Sequence, residues 1–433
     1  MTSFYKLLVN VLIAAVTNNY VWFALTFWVY LETRSVLATS VIAGIFLVNT
    51  AVSGFWFGSI VDHNKKKLAM LISSFATLVL FSGGFLIYIT APDGALRDVS
   101  GAWLWSLVLI LMFGVSAGNI RNIALPTTVT ILVPEDKRDR ANGMSGTVMG
   151  VAFAITSFGS GLVLANGGMR WVLVSAIVLT AIAIVHLAFI AIPEKKIAHS
   201  QEKPKKLDIK GTISAIRSIP GLFALIFFAT FNNFLGGVFM SLMDAYGLSL
   251  VSVQVWGALC GFLSLGFIFG GLYVAKKGLG NKPLRTMFRV NIVLWTIAIF
   301  FTIQPSIILL GVGMFFWICL IPFVEAAEQT IIQKVVPYER QGRVFGFAQS
   351  VEQAASPITA FTIGPIAQFI FIPFMTTGKG VDLIGGWYGT GIGRGIALVF
   401  SLAGVIGLIT TLIAMRSRAY KLLAAGYEKS PAT

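Results

Sequence analysis

The feature that most constrains this chain is the length of its apolar segments. The sequence contains about twelve apolar runs separated by short polar breaks, and a membrane-spanning helix needs roughly 20 such residues. Charged residues make up only 11% of the chain, whereas soluble domains carry about 25%. Because a water-soluble core cannot absorb this much apolar surface, we predict an all-α membrane protein with twelve transmembrane helices.

The longest polar insert divides these runs into two sets of six. It runs from Pro193 to Lys210 and predicts a cytoplasmic linker, 193–220, between an N-terminal six-helix bundle, 1–192, and a C-terminal six-helix bundle with a short cytoplasmic tail, 221–433. The predicted spans are 7–31, 36–60, 68–90, 102–131, 144–165, 171–192, 221–245, 250–274, 287–304, 306–335, 345–373 and 391–415.

The basic residues indicate the orientation of the helices. With the N-terminus inside, 26 of the 32 Lys and Arg residues fall in inner segments and 5 in outer segments, Arg394 among these. Arg121 alone remains inside the membrane. Cytoplasmic loops of membrane proteins carry an excess of Lys and Arg, so we expect a multi-pass protein of the cell membrane with both termini in the cytoplasm.

Composition excludes several other classes of protein. The net charge of +15 is spread between apolar runs, without a basic cluster interleaved with stacking aromatics, so we expect no nucleic-acid partner. Cys260 and Cys319 both lie in apolar segments without a partner spacing, and we expect no disulfide, metal or cofactor. The first apolar run is long enough to span the membrane, which argues against a cleaved signal peptide. We expect a monomer in the lipid bilayer.

The two halves of the chain repeat. Residues 133–143 and 336–346 share the frame Val-Pro-x-acid-base-x-x-Arg-x-x-Gly without a gap, after the fourth span and again after the tenth. The paired amides of the first span, Asn18 and Asn19, are mirrored in the seventh span by Asn232 and Asn233. Two homologous six-helix bundles are typical of secondary transporters.

A short charged turn, running from Gly58 to Lys67, connects the second and third spans. Gly58 lets two helix ends approach closely, and Asp62 places one carboxylate at the membrane surface. Lys65, Lys66 and Lys67 cannot enter hydrocarbon, which holds the turn on the cytoplasmic side.

The turn resembles the loop between the second and third helices of the major facilitator superfamily, whose pattern is Gly-x-x-x-Asp-(Arg)-x-x-(Arg/Lys)-(Arg/Lys). His63 stands where that family usually has Arg. The repeated Val-Pro loops, and residues 221–225 at the start of span seven, are similar to the drug-efflux branch of proton antiporters that includes macrolide-type exporters. The resemblance covers essentially the whole chain and implies two pseudo-symmetric bundles that alternate between inward- and outward-facing states.

In the resembling family, an acidic residue of this loop and basic residues at the feet of neighbouring helices close the cytoplasmic face. A plain solvated charge cluster is the alternative. The residues that match this cytoplasmic gate by position are Gly58, Asp62, Lys65, Lys66, Asp139, Arg140, Arg343 and Glu352.

Charges inside the spans are the strongest functional signal, because an ionisable group in hydrocarbon is costly and usually faces a cavity or a partner. Arg121 lies in span four, and Glu325 and Glu328 lie on one face of span ten. We predict that Arg121 pairs with one of these glutamates across the two halves, and that protonation or a cationic substrate releases the pair. A static structural ion pair is the alternative.

The paired amides form a second group of candidate residues. They need partners, which are either neighbouring helices or a substrate. Nearby aromatic residues suit an apolar or cationic substrate. The predicted substrate-cavity residues are Asn18, Asn19, Asn232, Asn233, Phe23 and Phe231.

These features predict a secondary transporter that exports lipophilic or cationic small molecules in exchange for protons. Uptake or facilitated diffusion of a nutrient is the alternative, because residues do not give the direction of transport. A membrane-embedded enzyme is a remote third reading. We expect no enzymatic activity, since catalysis needs clustered reactive groups and His63, His186 and His199 are scattered along the chain.

Overall fold

A computed structural model describes residues 2–33, 36–194 and 209–429 of the chain. These residues form helices joined by short turns, and no strand occurs among them. The helices are α1 (Thr2–Thr33), α2 (Val36–His63), α3 (Lys66–Thr90), α4 (Ala102–Ala117), α5 (Asn119–Leu132), α6 (Arg138–Ala188), α7 (Ile209–Ser218), α8 (Leu222–Leu250), α9 (Val253–Leu263), α10 (Leu265–Lys277), α11 (Pro283–Phe300), α12 (Ile307–Val335), α13 (Gln341–Ile366), α14 (Ile372–Thr376), α15 (Gly380–Tyr388), α16 (Ile392–Arg416) and α17 (Arg418–Lys429).

The twelve predicted spans are found in these helices. By length and composition, eleven helices of the described residues can cross a membrane. The longest, α6, contains two of the predicted spans, because Gly168 adopts φ 65° and ψ −176° and interrupts the helical geometry between them. A positive φ is readily adopted only by glycine. The predicted fold class, an all-α membrane protein with twelve transmembrane helices, is confirmed.

The chain forms two compact units whose bounds differ from a simple cut at the linker. The first contains Met1–Ala141, Val148–Ser214 and Val336–Ser350, and the second contains Asn142–Thr147, Ala215–Val335 and Val351–Thr433. The first unit therefore includes the second Val-Pro frame, and the second unit includes a short segment at the end of the first frame. Within the predicted linker, α7 is helical, and residues 195–208 lie outside the described part of the chain.

Each unit has its own apolar core and an apolar outer surface. The first core includes Trp28, Phe81 and Leu107. In the second, Phe239 stacks on Phe400 with ring centroids 5.0 Å apart. Large apolar side chains such as Phe361, which is 79% exposed, cover the outside. Surfaces of this kind face lipid in a bilayer, where packing within the bundle rather than the hydrophobic effect holds the helices together.

The repeated Val-Pro frame gives the same local structure twice. Pro134 and Pro337 both have extended backbone, with φ near −54° and −53°, and each precedes a single turn of 3₁₀-helix. The turns Glu135–Lys137 and Tyr338–Arg340 then lead directly into α6 and α13. Proline fixes φ and lacks an N–H, so it ends one helix and starts the next turn in both halves.

Arg394, counted above among the outer basic residues, is a buried cross-link. It is 4% exposed and donates hydrogen bonds to the carbonyls of Tyr388 (2.6 Å) and Ile303 (2.8 Å) and to the Tyr246 hydroxyl (3.1 Å). Its guanidinium also lies over the Tyr388 ring, 4.2 Å from the centroid. The side chain therefore connects α8, the turn after α11, α15 and α16. Its role in the second unit is structural.

We expect Arg394→Gln to destabilise the second unit strongly, because it removes the positive charge and leaves two buried carbonyls without their donor. Losing such charged hydrogen bonds costs about 3 kcal/mol, which thermal unfolding in detergent will show as a lower midpoint. The matched control is Arg97→Gln. Arg97 pairs with Glu32 at 2.7 Å, but its side chain is 70% exposed, so that change costs less than about 1 kcal/mol. Equal midpoints for the two variants would contradict a structural role for Arg394.

Candidate functional site

Asp62, at the end of α2, caps the first turn of α13. Its Oδ1 accepts a hydrogen bond from the backbone N–H of Gly342 (2.7 Å), and its Oδ2 accepts one from Arg343 (2.9 Å). The Arg343 Nε lies 3.4 Å from the same carboxylate, whose side chain has no exposed surface. Free N–H groups and the helix dipole make a helix N-terminus a favourable place for an anion. Asp62 therefore holds α13 through its backbone as well as by charge.

Gly58 makes this contact possible by bringing two backbones close together. A Cβ atom on Gly58 would collide with the carbonyl oxygen of Gly342 and crowd the Cα of Arg343. One turn away, Gly54 and Gly346 face each other in the same way. Small residues at such crossings allow backbones to approach closely, so the glycines of the charged turn act by their lack of a side chain.

The lysines of the turn have different environments. Lys65 is exposed, whereas Lys66 is buried and donates from Nζ to the Val61 carbonyl (2.7 Å). Lys66 also lies 5.0 Å from the centroid of the Tyr338 ring. The start of α3 is capped by Glu194, whose carboxylate accepts the backbone N–H groups of Lys66 (2.8 Å) and Lys67 (3.2 Å). Sequence reasoning missed Glu194, which lies more than 120 residues away in the chain.

The residues predicted after span four are arranged differently from the prediction. Asp139 accepts the backbone N–H of Arg140 (2.7 Å), and the Arg140 side chain is exposed. It is Arg138 that is buried, donating to the Thr130 carbonyl at 3.1 Å. The basic residue held at the foot of α5 is therefore Arg138. The sequence alone does not tell which of Arg138 and Arg140 is buried, because the face that each residue occupies depends on where α6 starts.

Neutral amides form further contacts at the starts of α6 and α13. In the second unit, Asn142 donates to Gln333 Oε1 and to the Thr330 hydroxyl, both at 2.9 Å, and Gln333 donates back to Asn142 at 3.2 Å. In the first unit, Thr130 donates to Gln341 Oε1 at 2.9 Å. These residues were not predicted. Polar residues are common at helix ends, so the sequence does not single these residues out. The pairs are seen only in the packed structure.

Arg121 lies inside the first unit, 3% exposed. Its guanidinium donates to the Asn10 side-chain oxygen and to the Ser74 hydroxyl. It also borders a cavity of about 10 Å³, room for about one water molecule, with Asn18, Thr77 and other small residues in its walls. Sequence reasoning missed Asn10 and Ser74 as partners. The predicted pairing of Arg121 with Glu325 or Glu328 joins the two units and stays a prediction.

The paired amides are used unequally. Asn232 accepts the indole N–H of Trp295 at 2.9 Å, and Asn233 donates to the Ala229 carbonyl at 3.2 Å. Asn18 packs closely against Gly118, where a Cβ would collide with its amide, and Asn19 is half-buried. In the structure, Asn232 and Asn233 thus serve contacts within the bundle, and Asn18 lines the small cavity beside Arg121.

The two predicted cavity phenylalanines lie in aromatic clusters. Phe23 contacts Trp22 (centroids 4.8 Å apart) and Phe153 (5.6 Å) in the first unit. In the second, Phe231 stacks on Phe234 at 6.2 Å. Both are half-buried, so part of each ring is open to a ligand or to lipid.

Three glutamates come together in the second unit. Glu328 on α12 adjoins Glu352 on α13 through its side chain, and Glu325 is close enough to interact electrostatically with both. Glu352 was predicted to belong to the cytoplasmic gate. The structure instead places it with the carboxyl groups of span ten, nine residues after Arg343, or roughly 13 Å along the helix.

Glu325 and Glu352 lie on helix faces opposite those that carry large exposed phenylalanines. Phe316 is an exposed side chain of α12, and Glu325 follows it by nine residues, about 2.5 helical turns, which places the two on opposite faces. The same spacing separates Glu352 from the exposed Phe361 on α13. One and two turns further along the face that carries Glu352, Ser356 and Thr359 donate to backbone carbonyls of α8. This face therefore packs inside the unit.

A hydrogen bond between two carboxyl groups requires a proton, because an ionised carboxylate can only accept. Glu328 and Glu352 adjoin each other and are candidates for such a pair. Glu325, unlike its two neighbours, has an exposed side chain. The cluster therefore combines two adjoining, partly buried carboxyl groups with a third that is exposed.

Comparison with known proteins agrees with this architecture. A family model described as Major Facilitator Superfamily matches residues 7–360. The chain belongs to the major facilitator superfamily. The family and its fold are those of membrane transporters, so this is a multi-pass membrane protein that carries small molecules.

Relatives within the superfamily are distant. Macrolide efflux protein A of Streptococcus pyogenes is 21% identical over 369 residues, covering 82% of this chain and 87% of the relative. The protein of the same name from Enterococcus faecalis is 22% identical over 326 residues, covering 71% and 94%. The solved structure of the Escherichia coli fucose:proton symporter superimposes with a TM-score of 0.69 at 13% identity, covering 96% of this chain and 99% of that one.

The cap on α13 makes a direct prediction for this superfamily member. Asp62→Asn removes the charge and one of two acceptors, so the backbone N–H groups of Gly342 and Arg343 lose protection. We expect their hydrogen exchange in lipid nanodiscs to become about tenfold faster, since a hydrogen bond to a charged group contributes about 1.5–3 kcal/mol. Exchange in a peptide spanning 341–345 measures this. Asp139→Asn serves as the control and should leave that peptide unchanged; unchanged exchange in both variants would contradict the cap.

Proposed function

We propose that this protein is a proton-coupled exporter of lipophilic, cationic small molecules, with macrolide-type antibiotics as the first candidates. It lies in the cell membrane with both termini in the cytoplasm and acts as a monomer. The observation that carries the proposal is the pair of adjoining carboxyl groups of Glu328 and Glu352, which we infer share a proton, beside the exposed Glu325.

The relatives support export rather than uptake. Both are named for macrolide efflux, and the alignment runs over most of this chain in each case. The fucose:proton symporter shares the fold at 13% identity, which carries no information about substrate or direction. Uptake of a nutrient therefore has no specific observation in its favour.

The carboxyl cluster supplies a mechanism for coupling. A cationic solute approaching Glu325 brings a positive charge next to the Glu328–Glu352 pair. That charge stabilises the ionised form of the pair, so the shared proton leaves as the cation binds. When the solute departs, two adjacent carboxylates repel and one takes up a proton again. One proton is thus exchanged for one positive charge in each cycle.

Apolar contact supplies the rest of the recognition. Phe23 and Phe231 each expose part of a ring within an aromatic cluster, and such rings attract cations as well as apolar surfaces. Asn18 and Asn19 supply amide groups on the same helix as Phe23. Asn232 and Asn233 contribute less directly, since their bonds to Trp295 and Ala229 position the α8 wall.

The contacts at the helix ends supply the gate. Asp62 fixes the start of α13 where Gly58 allows close approach, with Arg343 and Lys66 beside it. Release of this cap would free α13, the helix that carries Glu352. Lys65, Asp139 and Arg140 are the outlying members of the predicted gate, and they act through their charge at the membrane surface. A gate of this kind allows the cavity to open to one side at a time.

Arg121 is proposed to complete the electrostatic cycle. Its neutral partners hold it in the conformation described here, and the predicted pairing with Glu325 or Glu328 applies to a conformation in which those glutamates are ionised. The charge of Arg121 then compensates for the proton that has left.

Replacing the coupling carboxyls tests the proposal. In proteoliposomes, Glu328→Gln and Glu352→Gln should each reduce pH-gradient-driven transport of a macrolide at least tenfold, because a glutamine cannot exchange the proton. The matched control is Glu339→Gln, which changes a carboxyl in the 3₁₀ turn before α13 and should transport normally. Protons released on adding the macrolide are followed with a pH-sensitive dye. Full gradient-driven transport by both pair variants would overturn the coupling site.

The choice of solute separates export from uptake. Overexpression in a sensitive bacterial host should raise tolerance to a macrolide and to a lipophilic cation. Overexpression of the transport-deficient Glu328→Gln variant should not. Uptake of a sugar by the same proteoliposomes, with no movement of the macrolide, would favour the nutrient alternative.

A further inference from the structure

His186, on α6 in the first unit, takes no part in the proposed coupling by the glutamates. It lies beside Asn10 of α1, with its Nδ1 3.3 Å from the Asn10 side-chain nitrogen. Asn10 has no exposed surface and also contacts Arg121, so one amide connects the histidine to the buried cation. His186, Asn10 and Arg121 therefore form a row of contacting polar side chains within the first unit.

The orientation of the Asn10 amide follows from its partners. Arg121 can only donate, so the atom of Asn10 that faces it is the oxygen. The Ala183 carbonyl can only accept, so the atom 2.7 Å from it is the nitrogen. Amide orientations are often ambiguous, but here each neighbour has a single hydrogen-bonding role. The two contacts agree, and the amide cannot be reversed without breaking both.

That orientation fixes the proton on His186. An amide nitrogen only donates, so the Nδ1 facing it has to accept and carries no proton. The ring is therefore neutral, with its proton on Nε2. In a protonated ring, the Nδ1–H of His186 would point at the side-chain N–H of Asn10. It would also add a second positive charge to the row of polar contacts that ends at Arg121.

The charged groups around this row of polar contacts make the conflict stronger. Lys67 on α3 donates to the Ala188 carbonyl, two residues beyond His186, and Lys6 lies one turn before Asn10 on α1. Glu194 is the acidic residue at this end of the unit, and its carboxylate accepts the first backbone N–H groups of α3. Within the described ranges, neither His186 nor Arg121 forms an ion pair with a carboxylate.

We propose that His186 is a second proton-binding site, and that its protonation releases Asn10 and thereby frees Arg121. Freed from Asn10, the guanidinium retains Ser74 and the adjoining one-water cavity lined by Asn18 and Thr77. His186 Nδ1 takes a proton from a hydronium ion, so an N–H bond forms as an O–H bond breaks and water remains, and the reverse step returns the proton. This proton site lies within the first unit alone and does not depend on the transported substrate.

Nitrogen NMR of the full-length protein in nanodiscs tests the tautomer. With ¹⁵N-histidine at pH 8, we expect a His186 Nδ1 without a proton. His63 is an internal reference of opposite kind, because its Nδ1 lies 2.8 Å from the Ser59 carbonyl and must donate. Signals are assigned by their loss in His186→Gln, His63→Gln and His199→Gln. A proton on Nδ1 of His186 at pH 8 would overturn the proposal.

A second measurement tests the release. When the pH is lowered from about 8 to about 5, protonation of His186 is expected to break its neutral contact with Asn10. The thermal unfolding midpoint of the unmodified protein should therefore drop by about 3 °C more than that of His186→Gln, whose amide accepts from Asn10 at every pH. His63→Gln should behave like the unmodified protein. An equal drop of the unfolding midpoint in the unmodified protein and in His186→Gln would contradict a proton site at His186.

Discussion

Polar groups inside a helix bundle in the hydrocarbon layer cannot hydrogen-bond to water. The structure therefore depends on the hydrogen-bond partners that each unit supplies for its own polar groups. The buried charges are met largely by neutral partners. Asp62 accepts two backbone N–H groups, and Arg394 donates to two carbonyls and a hydroxyl. Arg121 donates to an amide and a hydroxyl. Such bonds are directional, so each charge specifies one arrangement of helices more sharply than an ion pair would.

The internal repeat conserves geometry more than chemistry. The same Val-Pro turn starts α6 and α13, and glycines of α2 and of α10 allow close approach to the residues that follow these turns. In the first unit, Asp62 of α2 holds the start of α13, whereas in the second unit Asn142 of α6 pairs with Gln333 of α12. A carboxylate responds to protons and salt, whereas an amide pair does not. The polar contacts at the starts of α13 and α6 are therefore sensitive to different conditions.

The spans and the repeated turns could be predicted because they depend on local properties, namely the length of an apolar run and the fixed φ of proline. That Glu325 and Glu328 share one helix face could also be predicted, since they are three residues apart in an apolar run. Partners could not be read in this way. Glu352 was grouped with the surface charges because its chain neighbours are there, and only packing of α12 on α13 brings it to Glu328. Asn10 resembles any other amide in an apolar run until Arg121 is placed against it.

The two proposed proton sites differ in what holds them together. In the proposal, Glu328 and Glu352 are held together by a shared proton, because two ionised carboxylates repel. The Asn10–His186 contact exists only while the proton is absent from Nδ1. Acidification therefore tightens the carboxyl pair in the second unit and loosens the row of polar contacts in the first. If both proposals hold, a proton has opposite mechanical effects in the two units.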